Sequence, residues 1–296
     1  MKTQKDLKKK IKSAGELHSV VKTMKNLAAI SIRQYERSVR SLARYSEVIE
    51  RAVQAVVMDM PGRLDRLGGE GEGIGVVVLG SDQGMVGDFN SKIVERALEL
   101  IGDRGGGEVR ALAAAGFKTS ALLDAEGLEI AMRIDLPGSV ENISTTVADL
   151  LVEIERWREE LGASPVFICH NEPVSGSAYR QTCRQVFPVD AHWLAELKAR
   201  DWDSRSLPIF RMDRDDILSA LLRHNFFIMI FRALAASLAA ENASRLASMQ
   251  AAEDNINGRL EDLNKEYQYV RQDAITSEML DIASGFEALE GGGRAL

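Results

Sequence analysis

The placement of proline constrains this chain more than any other feature. Its six prolines, Pro61, Pro137, Pro165, Pro173, Pro188 and Pro208, all fall in the middle, leaving the first 60 and the last 88 residues with none. Proline removes a backbone donor and clashes with the preceding turn, so each proline-free end can be one uninterrupted helix. That distribution argues against an all-β chain and against a string of short helices.

The hydrophobic spacing at the two ends fits this reading. Alternating steps of four and three through the first arm meet Leu7, Ile11, Ala14, His18, Val21, Lys25, Ala28, Ile32, Tyr35, Val39, Leu42, Ser46, Ile49, Val53 and Val56, and twelve of these fifteen are apolar. So narrow a stripe is a coiled-coil seam, and a helix of that length, of order 80 Å, needs a partner helix. The partner is at the other end. Asp213, Asp215 and Asp216 mark a helix start. The run continues through Ile217, Leu221, Ile228, Phe231, Ala235 and Leu238 and resumes as Ile256, Leu260, Leu263, Tyr267, Val270 and Ala274.

Charge supports the pairing. Residues 1–60 hold 13 basic and 6 acidic side chains, residues 209–296 hold 9 and 14, and the whole chain carries −7. A basic arm can meet nucleic acid, but no aromatic interleaving accompanies it here, and an acidic companion helix explains it without one. The polar, alanine-rich section from Glu241 to Asn255 reads either as solvated coil or as a surface that other chains touch.

The middle changes period. Gly75–Gly80, Glu108–Ala114, Glu129–Ile134 and Pro165–His170 read as strands and Tyr179–Phe187 as an edge strand, while Asn90–Ile101, Lys118–Asp124 and Val140–Leu161 read as helices. Strands alternating with helices predict a mainly parallel sheet covered by helices. The expected fold is therefore α/β: a long antiparallel coiled coil of the N- and C-terminal helices with an inserted Rossmann-like α/β domain. Its parts are an N-terminal helix over 1–60, the α/β domain over 68–208 and a C-terminal helix over 209–290.

Catalytic chemistry is hard to find. Gly80-Ser-Asp-Gln-Gly84-Met-Val-Gly87-Asp-Phe-Asn90 is a glycine-rich strand-to-helix loop, but it lacks the phosphate-binding lysine, and Asp82 and Asp88 put negative charge where a phosphate would sit. A tight turn is the simpler reading. His18, His170, His192 and His224 have no metal spacing, and His18 and His224 lie on seam positions where a polar residue can set register. Cys169 and His170 are adjacent on a strand and so point to opposite faces. Two cysteines make neither a disulfide framework nor a four-ligand zinc site. No signal-peptide core follows Met1, and Phe226–Ala240, interrupted by Arg232, reads as a buried helix, so a soluble, cytoplasmic chain without an active site or cofactor is expected.

Three segments carry a family resemblance. Ile11-Lys-Ser with Val21-Lys-Thr-Met-Lys-Asn-Leu-Ala-Ala, the loop Gly80-Ser-Asp-Gln-Gly84 with Gly87 and Asn90, and Arg271-Gln-Asp-Ala-Ile-Thr-Ser-Glu-Met-Leu-Asp-Ile-Ala-Ser-Gly285 resemble the gamma subunit of F-type ATP synthases, over residues 5 to 289. The resemblance implies a non-catalytic central-stalk rotor that couples transmembrane ion flow to ATP synthesis or hydrolysis. Its implied partners are the alpha and beta subunits, the epsilon subunit and the c ring, and its place is the cytoplasmic side of a bacterial inner membrane as a peripheral subunit. It implies that Arg271, Gln272, Thr276 and Glu278 meet the beta catch loops, and that Met24, flanked by Lys22 and Lys25, faces the acidic beta lever, with Arg245 and Met249 opposite. Met85-Val-Gly-Asp88 departs from the family's cysteine and paired glycines, which points to a divergent bacterial branch similar to the alternate F-type ATPases. A coiled-coil adaptor with an α/β head would lack the Arg271 to Gly285 motif, and a nucleotide-dependent enzyme would bind nucleotide alone.

Overall fold

A computed structural model describes residues 3–58, 71, 73–103, 108–202, 204–206 and 208–292. The predicted boundaries at 60 and 68, and Pro61, lie outside them. The chain divides into two compact units, residues 1–27 with 248–296 and residues 28–247.

The helix α1 (Gln4–Val57) is continuous for 54 residues and α6 (Arg214–Gly292) for 79. Both begin on side chains that accept a backbone N–H. Thr3 Oγ1 accepts from Asp6 at 3.3 Å, and Asp213 Oδ1 accepts from Asp215 at 2.9 Å. All fifteen predicted seam positions of α1, the polar His18, Lys25 and Ser46 included, are buried or half-buried. The α6 stripe behaves likewise as far as Val270, whereas Ala274, predicted to continue it, is exposed.

In the first unit the two helices run antiparallel. His18 and Lys25 of α1 lie against Glu253, and Asp6 and Lys9 line one groove with Arg259 and Leu263. Leu7 and Leu263 are both buried. Gly15 and Gly258 sit within these helices with nothing near where a Cβ would stand. Glycine at such a position costs about 0.5–1 kcal/mol relative to alanine. Gly15→Ala and Gly258→Ala are each expected to raise stability by that amount, read as an increased urea midpoint at unchanged slope.

The second unit is built on a five-stranded sheet of order β3-β2-β1-β4-β5. Its strands are β1 (Gly73–Leu79), β2 (Val109–Ala115), β3 (Met132–Ile134), β4 (Ala163–Ser175) and β5 (Ala178–Phe187). The first four are parallel and β5 pairs antiparallel to β4 as an edge, as the spacing predicts. Two differences stand out. β3 is three residues rather than six, and α5 (Ala191–Ala199), unanticipated, starts where Asp190 accepts the His192 N–H at 2.8 Å.

Helices cover both faces of the sheet. α2 (Phe89–Asp103) and α3 (Phe117–Ala125) bury Ile93, Val94 and Leu123 against Val76, Val78 and Leu112. On the other face α4 (Val140–Leu161), α1 and α6 bury Ile143, Trp157, Tyr35, Ile230 and Leu234 against Val77, Leu79 and Ile168. The helix α6 is long enough, and in one 18-residue window apolar enough, to cross a membrane by length and composition alone, and its most apolar run is Phe226–Ala240. Its Ile228, Ile230, Phe231, Leu234 and Leu238 are buried inside this unit, which accounts for the apolar run. His224, predicted on the seam, is exposed instead, and its Nδ1 bonds to the Tyr45 hydroxyl of α1 at 3.0 Å.

Cys169 and Cys183 are opposite one another on β4 and β5 and form a disulfide, a pairing the sequence reading did not make. Spacing alone cannot show it, because the bond depends on the register of two strands.

Candidate functional site

The glycine loop between β1 and α2 is filled by its own side chains. Asn90 Oδ1 accepts from the Ser81 N–H at 2.9 Å and from Thr119 Oγ1 at 3.0 Å, while Asn90 Nδ2 donates to Ser81 Oγ at 2.8 Å. Asp82 caps α3 by accepting the Phe117 N–H at 3.0 Å. A Cβ on Gly80 would stand 1.5 Å from Thr119 Oγ1, and one on Gly116, where φ is +96°, 2.6 Å from Ser81 backbone. The close approach of strand, loop and helices requires both glycines. The space a phosphate cradle would need is occupied by protein.

The same loop is clipped to α6. Ser244 Oγ donates to the Val86 carbonyl at 2.7 Å, Ser237 Oγ to the Leu79 carbonyl at 3.5 Å, and Ala240 packs with Val86 and Phe89. Tyr179 of β5 closes the side: its ring lies edge-on to Phe89 and its hydroxyl donates to Asp88 at 2.8 Å. Burial and the Asp88 carboxylate push the Tyr179 phenol up to about 12. Of the two readings of Glu241–Asn255, solvated coil or a surface for other chains, neither describes its first part. In its first part Glu241, Ala243 and Ser244 are buried against this chain's own domain, and the small residues are there to let the loop approach.

Arg245, one residue further along α6, pairs within that helix. Its guanidinium bonds Glu241 at 2.5 Å and Asn242 at 3.4 Å, and its side chain is only 11% exposed. Burial raises the Glu241 carboxyl above its ordinary value, with Arg245 opposing. Met249 is buried at 3%. Arg245 and Met249, which the resemblance places on the helix opposite Met24, are half-buried and buried in this chain.

In the first unit Lys25 is also committed within the chain, to Gln250 Oε1 at 3.1 Å and to Glu253. The Lys25 hydrogen bond, with Lys25, His18 and Lys22 as nearby positive charge, holds the Glu253 carboxyl below its usual range. Lys22 is exposed and Met24 half-buried. Lys25 therefore differs from the free cation expected opposite an acidic lever, because a nearby acid of α6 claims it first.

The end of α6 is the opposite case. From Arg271 to Ser284 every residue is exposed, including Arg271, Gln272, Thr276 and Glu278. Helical spacing puts Arg271, Ile275, Glu278 and Ile282 on one stripe and Gln272, Thr276 and Met279 beside it. Thr276 Oγ1 is turned inward to the Gln272 carbonyl at 2.9 Å. Ile275, Met279, Leu280 and Ile282 are 46–68% exposed on this stretch, an apolar surface of the kind that marks a docking site. The family resemblance points to the polar four and leaves these apolar ones unmarked. The signal was available in the unequal arms: α6 is longer than α1 can cover, so its last turns have no seam to fill.

In one unit a doubly covered α/β domain fills its glycine loop with its own side chains, and in the other α6 ends in an exposed stretch. The family model described as ATP synthase matches residues 3–289. An ATP synthase gamma chain of Anaeromyxobacter dehalogenans is 30% identical over 301 residues, 98% of this chain and all of that one, and one of Polynucleobacter necessarius is 24% identical over 295 residues with the same coverage. The fold is shared with a chain of the Euglena gracilis mitochondrial ATP synthase OSCP/F1/c-ring structure, at a TM-score of 0.66, 15% identity and coverage of 99% of this chain and 96% of that one. The chain belongs to the ATP synthase gamma family.

Proposed function

We propose that this chain is the central-stalk rotor of an F-type ATP synthase, turning inside an alpha-beta hexamer and coupling transmembrane ion flow to ATP synthesis or hydrolysis. The observation that carries the reading is the bare end of α6, fourteen consecutive exposed residues with four large apolar side chains among them. A surface that apolar is costly in water and is relieved inside a sleeve of partner subunits.

In this reading the chain has no active site of its own. Arg271, Gln272, Thr276 and Glu278 meet the beta catch loops, and Lys22 and Met24 face the beta lever. Lys25, Arg245 and Met249 belong to the same contact with the beta lever, with Lys25 also bonded to Glu253 of α6. The α/β domain, residues 68–208 between arms 1–60 and 209–290, carries the contacts with epsilon and the c ring. The complex sits at the cytoplasmic side of a bacterial inner membrane, and membrane contact is made by the ion-conducting sector.

Co-expression with matching alpha and beta subunits tests this. An ATPase-active complex containing one copy of the chain is expected. Arg271→Ala with Gln272→Ala should assemble normally but hydrolyse ATP about three- to tenfold more slowly, the kinetic equivalent of losing one or two hydrogen bonds. A chain that never enters the hexamer sinks the proposal.

A further inference from the structure

Two adjoining cavities lie between the sheet and the helices α1 and α6, wholly within residues 28–247, with Arg184, Met229 and Arg232 in the walls of both. The smaller, of about 150 Å³, lies against Ile168 and His170 of β4, and Ala233 and Ala236 of α6 leave it open by being short. The larger, of about 290 Å³, has apolar walls from Val186, Phe226 and Ile228. Its size falls at the lower end of small-molecule sites, roughly 300–1,000 Å³.

The charges around this cleft are unequally committed. Its three carboxylates all have partners: Glu172 takes Arg180 at 2.9 Å and Arg184 at 3.0 Å, Glu50 faces Arg200 at 3.5 Å, and Asp190 caps α5. Arg232 has no hydrogen-bond or ion-pair partner among the described residues. His170 is 3% exposed, and its Nδ1 is buried without a partner. Buried polar atoms in folded proteins are almost always satisfied, so this ring nitrogen, on a side chain that lines the smaller cavity, calls for a partner that a small shift of the ring toward a bound molecule would supply. Burial, reinforced by Arg184, pushes the His170 imidazole down to about 4, so at neutral pH it offers a hydrogen bond and no charge. One uncommitted cation then matches a monoanion better than a dianionic phosphate.

We propose that this cleft binds a small amphipathic carboxylate, its head between Arg184 and Arg232 within reach of His170 and its hydrocarbon body against Val186, Phe226 and Ile228. The family relationship assigns no ligand to this place; the reading rests on the cavity, the free guanidinium and the unpaired imidazole nitrogen.

Calorimetric titration of the full chain with octanoate, octanol and inorganic phosphate tests it. Octanoate should bind saturably with one site per chain, and octanol and phosphate each about tenfold more weakly or not at all, since each lacks one half of the recognition. Arg232 is exposed, so Arg232→Ala should leave the thermal midpoint unchanged while weakening octanoate about tenfold, with Arg232→Lys intermediate. In long-range ¹⁵N spectra octanoate should move the His170 ring signals and leave those of His18 in place. Octanol binding as tightly as octanoate, Arg232→Ala binding unchanged, or a stationary His170 would each overturn the proposal.

Discussion

Arg245→Ala is expected to destabilise the protein by about 3–5 kcal/mol, because it leaves the Glu241 carboxylate buried without its cation. Glu241 is 6% exposed and Arg245 supplies its ion pair. The loss should depend on pH in a direction the structure fixes. Burial raises the folded Glu241 value above the ordinary 4.5 while Arg245 lowers it. A carboxyl raised on folding favours the folded state fully only below its unfolded value, and that contribution is lost as pH rises through the folded one. Removing Arg245 raises the folded value further and widens this window upward. The deficit of the variant against the parent should therefore be larger at pH 8 than at pH 5 in urea unfolding. Adding Glu241→Gln should recover part of it, since a neutral amide costs less to bury than an unpaired charge. A deficit that is flat with pH would show that the guanidinium acts by packing alone.

The second large effect belongs to the glycine loop. Gly80→Ala places a methyl 1.5 Å from Thr119 Oγ1 and 2.7 Å from Asn90 Oδ1. Thr119 is fully buried and cannot swing away, so the methyl must break the Ser81, Asn90 and Thr119 network. Each buried polar group stranded in this way costs about 1–3 kcal/mol, so a total above about 3 kcal/mol is expected. Thr119→Ala alone should cost about 1 kcal/mol. Combined with Gly80→Ala it should restore much of the loss, because it removes the obstacle as well as one of the groups to be satisfied. A double-mutant cycle on chemical denaturation gives the coupling, and simple additivity would mean that the methyl is relieved by backbone movement instead.

The two sites flank the contact between the loop and α6, which is made by Ser244 with the Val86 carbonyl and Ser237 with the Leu79 carbonyl. In the proposed rotor a loosened loop should lower the coupling of the complex before it lowers assembly. The Ser244 bond to the Val86 carbonyl and the Tyr179 bond to Asp88 make that contact polar and directional, which resists sliding better than apolar packing of the same area.

Much of this was legible in the residues. Steps of four and three placed all fifteen α1 seam positions on a covered face, because a coiled-coil seam is a local repeat that needs only a partner of matching length. Val140–Leu161 was legible to the residue for a similar reason: its apolar period is unbroken, and Gly162, at φ +63°, stops it. The motif from Arg271 marked a stretch of α6 whose exposure the structure then displayed. What could not be read were the partners of polar side chains. Lys22, Lys25 and Arg245 look alike in sequence, three cations near one stripe. Lys25 is claimed by Glu253 of α6, a matter of rotation and register between distant segments, whereas the Arg245 pair with Glu241 is an i,i+4 contact within α6 that spacing alone already allows. Cys169 with Cys183, and the cleft at His170, depend in the same way on strand pairing. The sequence by itself determined the two long helices, the sheet between them and the family, since periodicity and turn chemistry act over a few residues. Only the tertiary structure decided which charges are spent inside the chain and which remain for other molecules, since that is settled by contacts between segments far apart in the sequence.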